Sequence, residues 1–126
     1  MITGLDHVHV ICQDVEEAVQ YFKSVFGGKE VSRGEVRGLP MVRVEVQGVP
    51  VNLMGTEPGA DLLIPGKGSR GLDHFGFKVR DLKQTIADLQ KKGARVTLGP
   101  SVTSTGIKYA FIEGPESIRI ELVERD

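Results

Sequence analysis

The sequence predicts an α+β fold made of two βαβββ repeats, and three observations carry that prediction. A short segment occurs twice: Leu5-Asp6-His7-Val8 returns as Leu72-Asp73-His74-Phe75, and Asp14 returns as Asp81 at the same interval. Each copy is followed by a helical stretch that stops at glycine, and then by strand-like sequence. The strand endings match too, Val51-Asn52-Leu53-Met54 against Ile120-Glu121-Leu122-Val123. Self-similarity at a fixed interval marks a repeated supersecondary unit.

The elements follow in order. Residues 5–12 alternate and are β-branched, so they read as a strand. Asp14 is placed to cap a helix, with Glu16 and Glu17 in a first turn that favours acids. Val15, Ala18, Val19, Phe22 and Phe26 recur at helical spacing and form one apolar stripe. Gly27-Gly28 supplies the stop. Strands are expected at about 29–34, 40–47 and 50–54, with Gly48 turning the last pair. The second copy repeats the plan. It has a strand at 72–79 and a helix capped by Asp81 that carries Leu82, Ile86 and Leu89 and stops at Gly93. Strands follow at about 94–98, 107–112 and 118–124. The chain thus divides into repeat one (1–54), a glycine- and proline-rich linker (55–71) and repeat two (72–126). A linker of that length can also serve as a lid.

Composition removes several functions. At 126 residues the chain fits one domain, 1–126. A repeat of roughly 60 residues alone would be marginal, because small units bury too little surface. The formal charge of -1 gives no electrostatic case for nucleic acid, which needs a basic patch. No apolar run approaches a membrane span. Met1 is followed by no basic and then apolar leader, so no secretory signal is expected. The single cysteine, Cys12, excludes an internal disulfide and fits a reducing cytoplasm. Nothing near it marks an activated thiol, so it is expected to pack.

Side chains alternate along a strand. Val8, Val10 and Cys12 oppose His7, His9 and Ile11. Val42, Val44 and Val46 oppose Arg43, Glu45 and Gln47. Phe75, Phe77 and Val79 oppose His74, Gly76 and Lys78. Ile118, Ile120 and Leu122 oppose Arg119, Glu121 and Val123. The apolar faces need the helical stripes to cover them. We therefore expect a curled mixed sheet, open as a cup, with the helices on its outer face. The polar faces would hold His7, His74, Asn52 and Glu121, and Gly76 would leave room beside His74 for a ligand. A flat sheet with a solvated polar face is the plain alternative. Two histidines fixed by a repeat, with one carboxylate, point the other way. They form a facial set that can hold a metal ion and leave positions open.

The two Asp-His openings, the βαβββ plan and the ending Gly-Ile-Lys-Tyr-Ala-Phe-Ile-Glu-Gly-Pro-Glu-Ser-Ile-Arg-Ile-Glu-Leu-Val-Glu (106–124) resemble the vicinal oxygen chelate superfamily. That group includes glyoxalase I, methylmalonyl-CoA epimerase, fosfomycin and bleomycin resistance proteins, and extradiol dioxygenases. The resemblance covers essentially the whole chain. It implies one divalent metal ion (Mn, Co, Ni, Zn or Fe) held from four strand positions, here His7, Asn52, His74 and Glu121. Asn52 stands where many glyoxalases have glutamate and epimerases have glutamine. The resemblance also implies chelation of two neighbouring substrate oxygens and stabilisation of a developing enolate. An isomerase or lyase of the glyoxalase or epimerase kind fits that strategy, and a homodimer is the assembly it implies.

By the same resemblance, Glu121 can ligate the metal and also act as base. His9, two residues from His7 on one face, is a second acid–base candidate or simply a polar neighbour. Arg43 and Arg119 can bind a carboxylate or phosphonate through two hydrogen bonds, although Arg43 can instead pair with Glu45. Gly76 and Tyr109 complete the substrate-binding candidates, the facing of Tyr109 being open. Two other functions remain. A non-haem Fe(II) dioxygenase would use the two-His-one-Glu set, and a resistance protein would bind a small molecule without catalysis. A small-molecule substrate, no nucleic acid, no membrane and a cytoplasmic setting are expected throughout.

Overall fold

The computed structural model describes residues 1, 3–62 and 72–125, and the fold is α+β with the two expected repeats. The chain divides into two compact units, Met1–Asp61 and Leu62–Asp126. The division falls inside the segment read as a linker. Residues 56–62 contain neither helix nor strand, and 63–71 lie outside the described residues.

The first unit runs β1 (Val8–Cys12), α1 (Val15–Phe26), β2 (Lys29–Val36), β3 (Leu39–Val46) and β4 (Val49–Gly55). Its sheet order is β1-β4-β3-β2. β1 lies parallel to β4, and the other pairs are antiparallel. Asp14 caps α1 by accepting the Glu17 N–H at 3.0 Å. Gly27, at φ 68, ends the helix, and the Gly28 N–H returns to the Phe22 carbonyl at 2.9 Å. That pattern satisfies carbonyls the last turn would leave bare. The buried stripe is Val15, Ala18, Val19, Phe22 and Val25. Phe26, read as part of it, is only half-buried, and Val25 takes its place. The stripe packs against β3 and β4, where Val42, Val44, Val46, Val51 and Leu53 are buried. Cys12 is fully buried, its sulfur 3.7 Å from the Val10 carbonyl, as a packing residue would be.

Arg33 on β2 clips the strand to the helix, pairing with Glu16 of α1 and with Glu30 at 2.8 Å. Its hydrogen bonds hold both carboxyls below their usual value of 4.5. A carboxyl depressed in the folded state adds stability above its unfolded pKa and loses it as pH falls through the folded one. All three groups are exposed, so solvent screens the effect. Arg33→Gln is expected to be slightly less stable than the parent in urea at neutral pH. The gap should close on acidification below 4.5. A gap that widened there would contradict the clip.

The second unit repeats the plan: β5 (Phe75–Val79), α2 (Leu82–Lys91), β6 (Arg95–Val102), β7 (Lys108–Glu113) and β8 (Arg119–Glu124). The order is β5-β8-β7-β6, with β5 parallel to β8. Asp81 caps α2 through the Gln84 N–H at 3.0 Å. Leu82, Ile86 and Leu89 are buried on the side of β6, β7 and β8, as are Ala110, Ile112, Ile120 and Leu122.

The departures from expectation have local causes. Each opening strand begins three residues late, at Val8 and Phe75 and not at 5 and 72. A parallel strand needs its partner beside it. β4 and β8 supply their first partners at Val51 and Ile120, just after leaving their turns. β6 is longer than expected because its ladder shifts register between Leu98 and Ser101 and absorbs Gly99-Pro100. Gly99 is at φ 89, and a Cβ there would stand 2.9 Å from the Tyr109 carbonyl oxygen. No helix among the described residues is long and apolar enough to cross a membrane.

Candidate functional site

Directly paired residues on adjacent strands share a face. In the first unit Asn52 of β4 pairs with His9 of β1 and with Arg43 of β3. In the second, Glu121 of β8 pairs with Gly76 of β5 and with Phe111 of β7. The repeat therefore builds one row twice and fills it differently: His9, Asn52 and Arg43 in one unit, Gly76, Glu121 and Phe111 in the other.

The second unit holds a tight cluster around its row. His74 stands one residue ahead of β5. Its Nε2 is 3.1 Å from Glu121 Oε2, and its Nδ1 is 2.7 Å from Asp73 Oδ2. The same Asp73 oxygen accepts from Arg119 Nη1 at 2.6 Å. The Arg119 guanidinium lies 3.8 Å above the Phe111 ring, a cation–π contact. The His74 ring meets Phe111 edge-on, with centroids 4.9 Å apart. The His74 and Glu121 side chains are 32% and 22% exposed, so solvent reaches the pair without flooding it. A Cβ at Gly76 would stand 3.5 Å from Glu121 Oε2, so its absence leaves space against that carboxylate. Tyr109 is on the Glu121 face, its ring 6.0 Å from Phe111, which settles its facing.

The first unit has the same parts in looser form. His7 Nδ1 is 3.4 Å from Asp6 Oδ2, and Arg43 Nη2 is 3.6 Å from that oxygen. The acid that Arg43 reaches is thus Asp6, where the sequence suggested Glu45. His7 and His9 have ring centroids 6.3 Å apart. Asn52 is 6% exposed, and its Oδ1 has no hydrogen-bond partner among the described residues. A buried acceptor left alone is costly.

Of the expected metal ligands, the structure brings His74 and Glu121 together in one unit and sets His7 and Asn52 in the other. Among the described residues, no three His, Cys, Asp or Glu side chains are grouped to hold an ion. Arg119, expected to bind substrate, is engaged with Asp73 and Phe111 here. Asp73 and Phe111 escaped the sequence reading. The doubled aspartate was visible in the repeat, and Phe111 was legible as the odd residue between the inward-facing Ala110 and Ile112. A separate cavity of about 400 Å³ lies by the start of α2, lined by Arg80, Lys83, Lys108 and Glu124 among others. Glu124 already accepts the Leu82 N–H there at 2.9 Å, and Asp81 caps Gln84, so the helix start supplies its own anions.

Residues 6–111 match the family model described as Glyoxalase/Bleomycin resistance protein/Dioxygenase superfamily. A probable chloroplastic lactoylglutathione lyase from Arabidopsis thaliana is 38% identical over 56 residues. That stretch is 44% of this chain and 16% of the plant protein's length. Among solved structures, a glyoxalase family protein from Enterococcus faecalis superposes with a TM-score of 0.84 at 18% identity, covering 97% of this chain and 98% of the other. A variant of the fosfomycin resistance protein FosX from Listeria monocytogenes, complexed with Mn(II) and a dihydroxypropylphosphonic acid, gives a TM-score of 0.74. It is 14% identical, over 100% of this chain and 93% of the other. At such identities the solved structures speak to fold alone.

Proposed function

The chain belongs to the glyoxalase/bleomycin resistance protein/dioxygenase superfamily, and from that premise we propose that it is a metal-dependent lyase or isomerase acting on a small oxygenated substrate. The observation that carries this reading is the approach of His74 Nε2 to Glu121 Oε2 at 3.1 Å. Two ligands bonded to one ion at about 2.1 Å stand roughly 3 Å apart. An imidazole and a carboxylate suit Mn, Fe, Co, Ni and Zn alike. The donor pair therefore fits a divalent ion. His7, the repeat's counterpart of His74, and the partnerless Asn52 Oδ1 are the corresponding donor candidates of the first unit.

The ion, when bound, would supply Lewis-acid polarisation of a substrate carbonyl. The remaining work falls to this chain's own groups. Glu121 is the proposed base, taking a proton from the carbon beside that carbonyl at Oε1 or Oε2. The space left by Gly76 admits the substrate against that carboxylate. Phe111 and Tyr109 form an aromatic wall that limits water around it. His9 and Arg43 hold the corresponding row of the first unit and are its candidates for acid–base work and for binding a carboxylate or phosphonate. The working form is taken to be a homodimer, because each open sheet has two edge strands to protect.

The test uses protein loaded with Mn(II) in heavy water, with lactoylglutathione as the probe because of the plant relative's name. Deuterium should enter the lactoyl carbon that bears the hydroxyl, and Glu121→Gln should abolish that entry. No exchange in the loaded parent, over a panel of 2-hydroxy and 2-oxo acyl compounds, would sink the proton-transfer reading. Oxygen uptake by Fe(II)-loaded protein with catechol would replace it with a dioxygenase.

A further inference from the structure

We propose that Lys78 determines which substrates the second unit accepts, by binding a carboxylate about 7 Å from the carbon that faces Glu121. The place of that carbon rests on the reading of Glu121 above. Alternate residues of a strand share a face, and each residue advances the chain by about 3.3 Å. Lys78 therefore stands on the face of Gly76 and Glu121, two residues beyond Gly76 along β5. Its row runs through Val123 of β8 to Tyr109 of β7, beside the row of Gly76, Glu121 and Phe111. Val123 and Tyr109 are half-buried, so the ammonium stands at the edge of an apolar floor. Gly76 carries no side chain to bar the way from one row to the next.

Charge singles out the same residue. Of the cations within the strands on this face, Arg95 is paired with Glu113 at 2.8 Å and Arg119 with Asp73 at 2.6 Å. Lys78 is exposed and has no counter-ion among the described residues. Glu121 stands diagonally from it, within reach of a long side chain. Its Oε2 is turned instead toward His74 Nε2, at 3.1 Å. A lysine on an edge strand can simply deter pairing with another chain. That task needs neither an apolar floor nor a gap leading to a carboxylate, and Lys78 has both in line. The substrate class that fits is a 2-hydroxy or 2-oxo acyl compound whose other end is an acid. The acyl end lies in the space left by Gly76, the middle lies over Val123, and the acid meets the ammonium.

N-lactoyl-β-alanine has roughly the required spacing in its extended form, and its primary amide differs from it only in charge. Each is titrated into the isotope-labelled, metal-free full chain and followed through the NMR shifts of Gly76, Lys78 and Val123. The acid should bind about fivefold more tightly than the amide, the upper end for an exposed charge pair. Lys78→Met keeps an apolar stem and should bring the acid down to the amide's affinity. Lys78→Arg should restore the preference. No preference in the parent, a preference kept in Lys78→Met, or binding of neither compound overturns the proposal. The readout needs neither metal nor turnover, so it separates from the exchange test above. A chain that prefers the acid but exchanges no deuterium sinks the proton-transfer reading and leaves the carboxylate subsite standing. Exchange without that preference does the reverse.

Discussion

His74→Ala is expected to lower the affinity for a divalent ion by about 100-fold or more, and to leave the fold intact. Removing a residue that merely orients a metal ligand costs about 10- to 100-fold, so removing a ligand should fall at or beyond the upper end. The structural cost should be small, about 1 kcal/mol, the ordinary size for a partly exposed side chain. His74 faces Glu121 and the edge of Phe111, away from the helix-covered core of Ile120 and Leu122. Asp73 keeps Arg119 as its counter-ion when the imidazole is gone. Metal content after purification without chelator, calorimetric titration with Mn(II), and urea unfolding together check the prediction. A mutant that bound Mn(II) like the parent would remove His74 from the site. A mutant that unfolded would move it into the core.

Phe22→Ala is expected to have the largest effect on stability, a loss of about 3–5 kcal/mol. Phe22 has no exposed surface and is the largest of the fully buried side chains. It points from α1 toward the valines of β3 and β4, and its ring meets those of Tyr21 and Phe26 at 5.9 Å. Truncation removes the transfer gain and leaves a cavity that a helix capped at both ends cannot easily close. Domains of this kind have about 5–15 kcal/mol in total, so the variant should be near unfolding at ambient temperature. Urea unfolding of the two proteins at one pH measures the difference. A loss under about 1 kcal/mol would mean the α1 stripe is not what holds the first sheet's inner face.

Much of this architecture was legible because it rests on local chemistry. Asp14 and Asp81 announce helix starts, and the valines of β3 announce a face. Turn geometry was legible only where glycine marked it. Gln47 and Gly48, at φ 49 and φ 80, make the tight hairpin between β3 and β4. The equivalent turn before β8 uses Glu116 and Ser117, at φ 58 and φ 57. Gly114 marks only the start of that turn and not its positive-φ positions, yet the turn sets the register that brings Glu121 opposite Phe111. The candidate site was legible as a set of residue types and not as a set of bonds. His74 and Glu121 lie far apart in sequence, and only the β5–β8 register joins them. The partners of Arg119 were hidden for a related reason. A sequence shows that an arginine shares a face with a carboxylate, but not that an aromatic ring and Asp73 already engage it.

The two arginines carry a historical consequence. If the chain arose by copying one module, residues inherited from the ancestor should stand at equivalent places. The aspartates and histidines do. The arginines do not: by strand register, the counterpart of Arg43 is Phe111, and that of Arg119 is Pro50. Each half therefore places its guanidinium on a different strand, β3 in the first and β8 in the second, to meet the same need of an Asp-His pair. The duplicated parts and the divergent ones are thus separable by register alone, and the tighter of the two arrangements lies in the second copy.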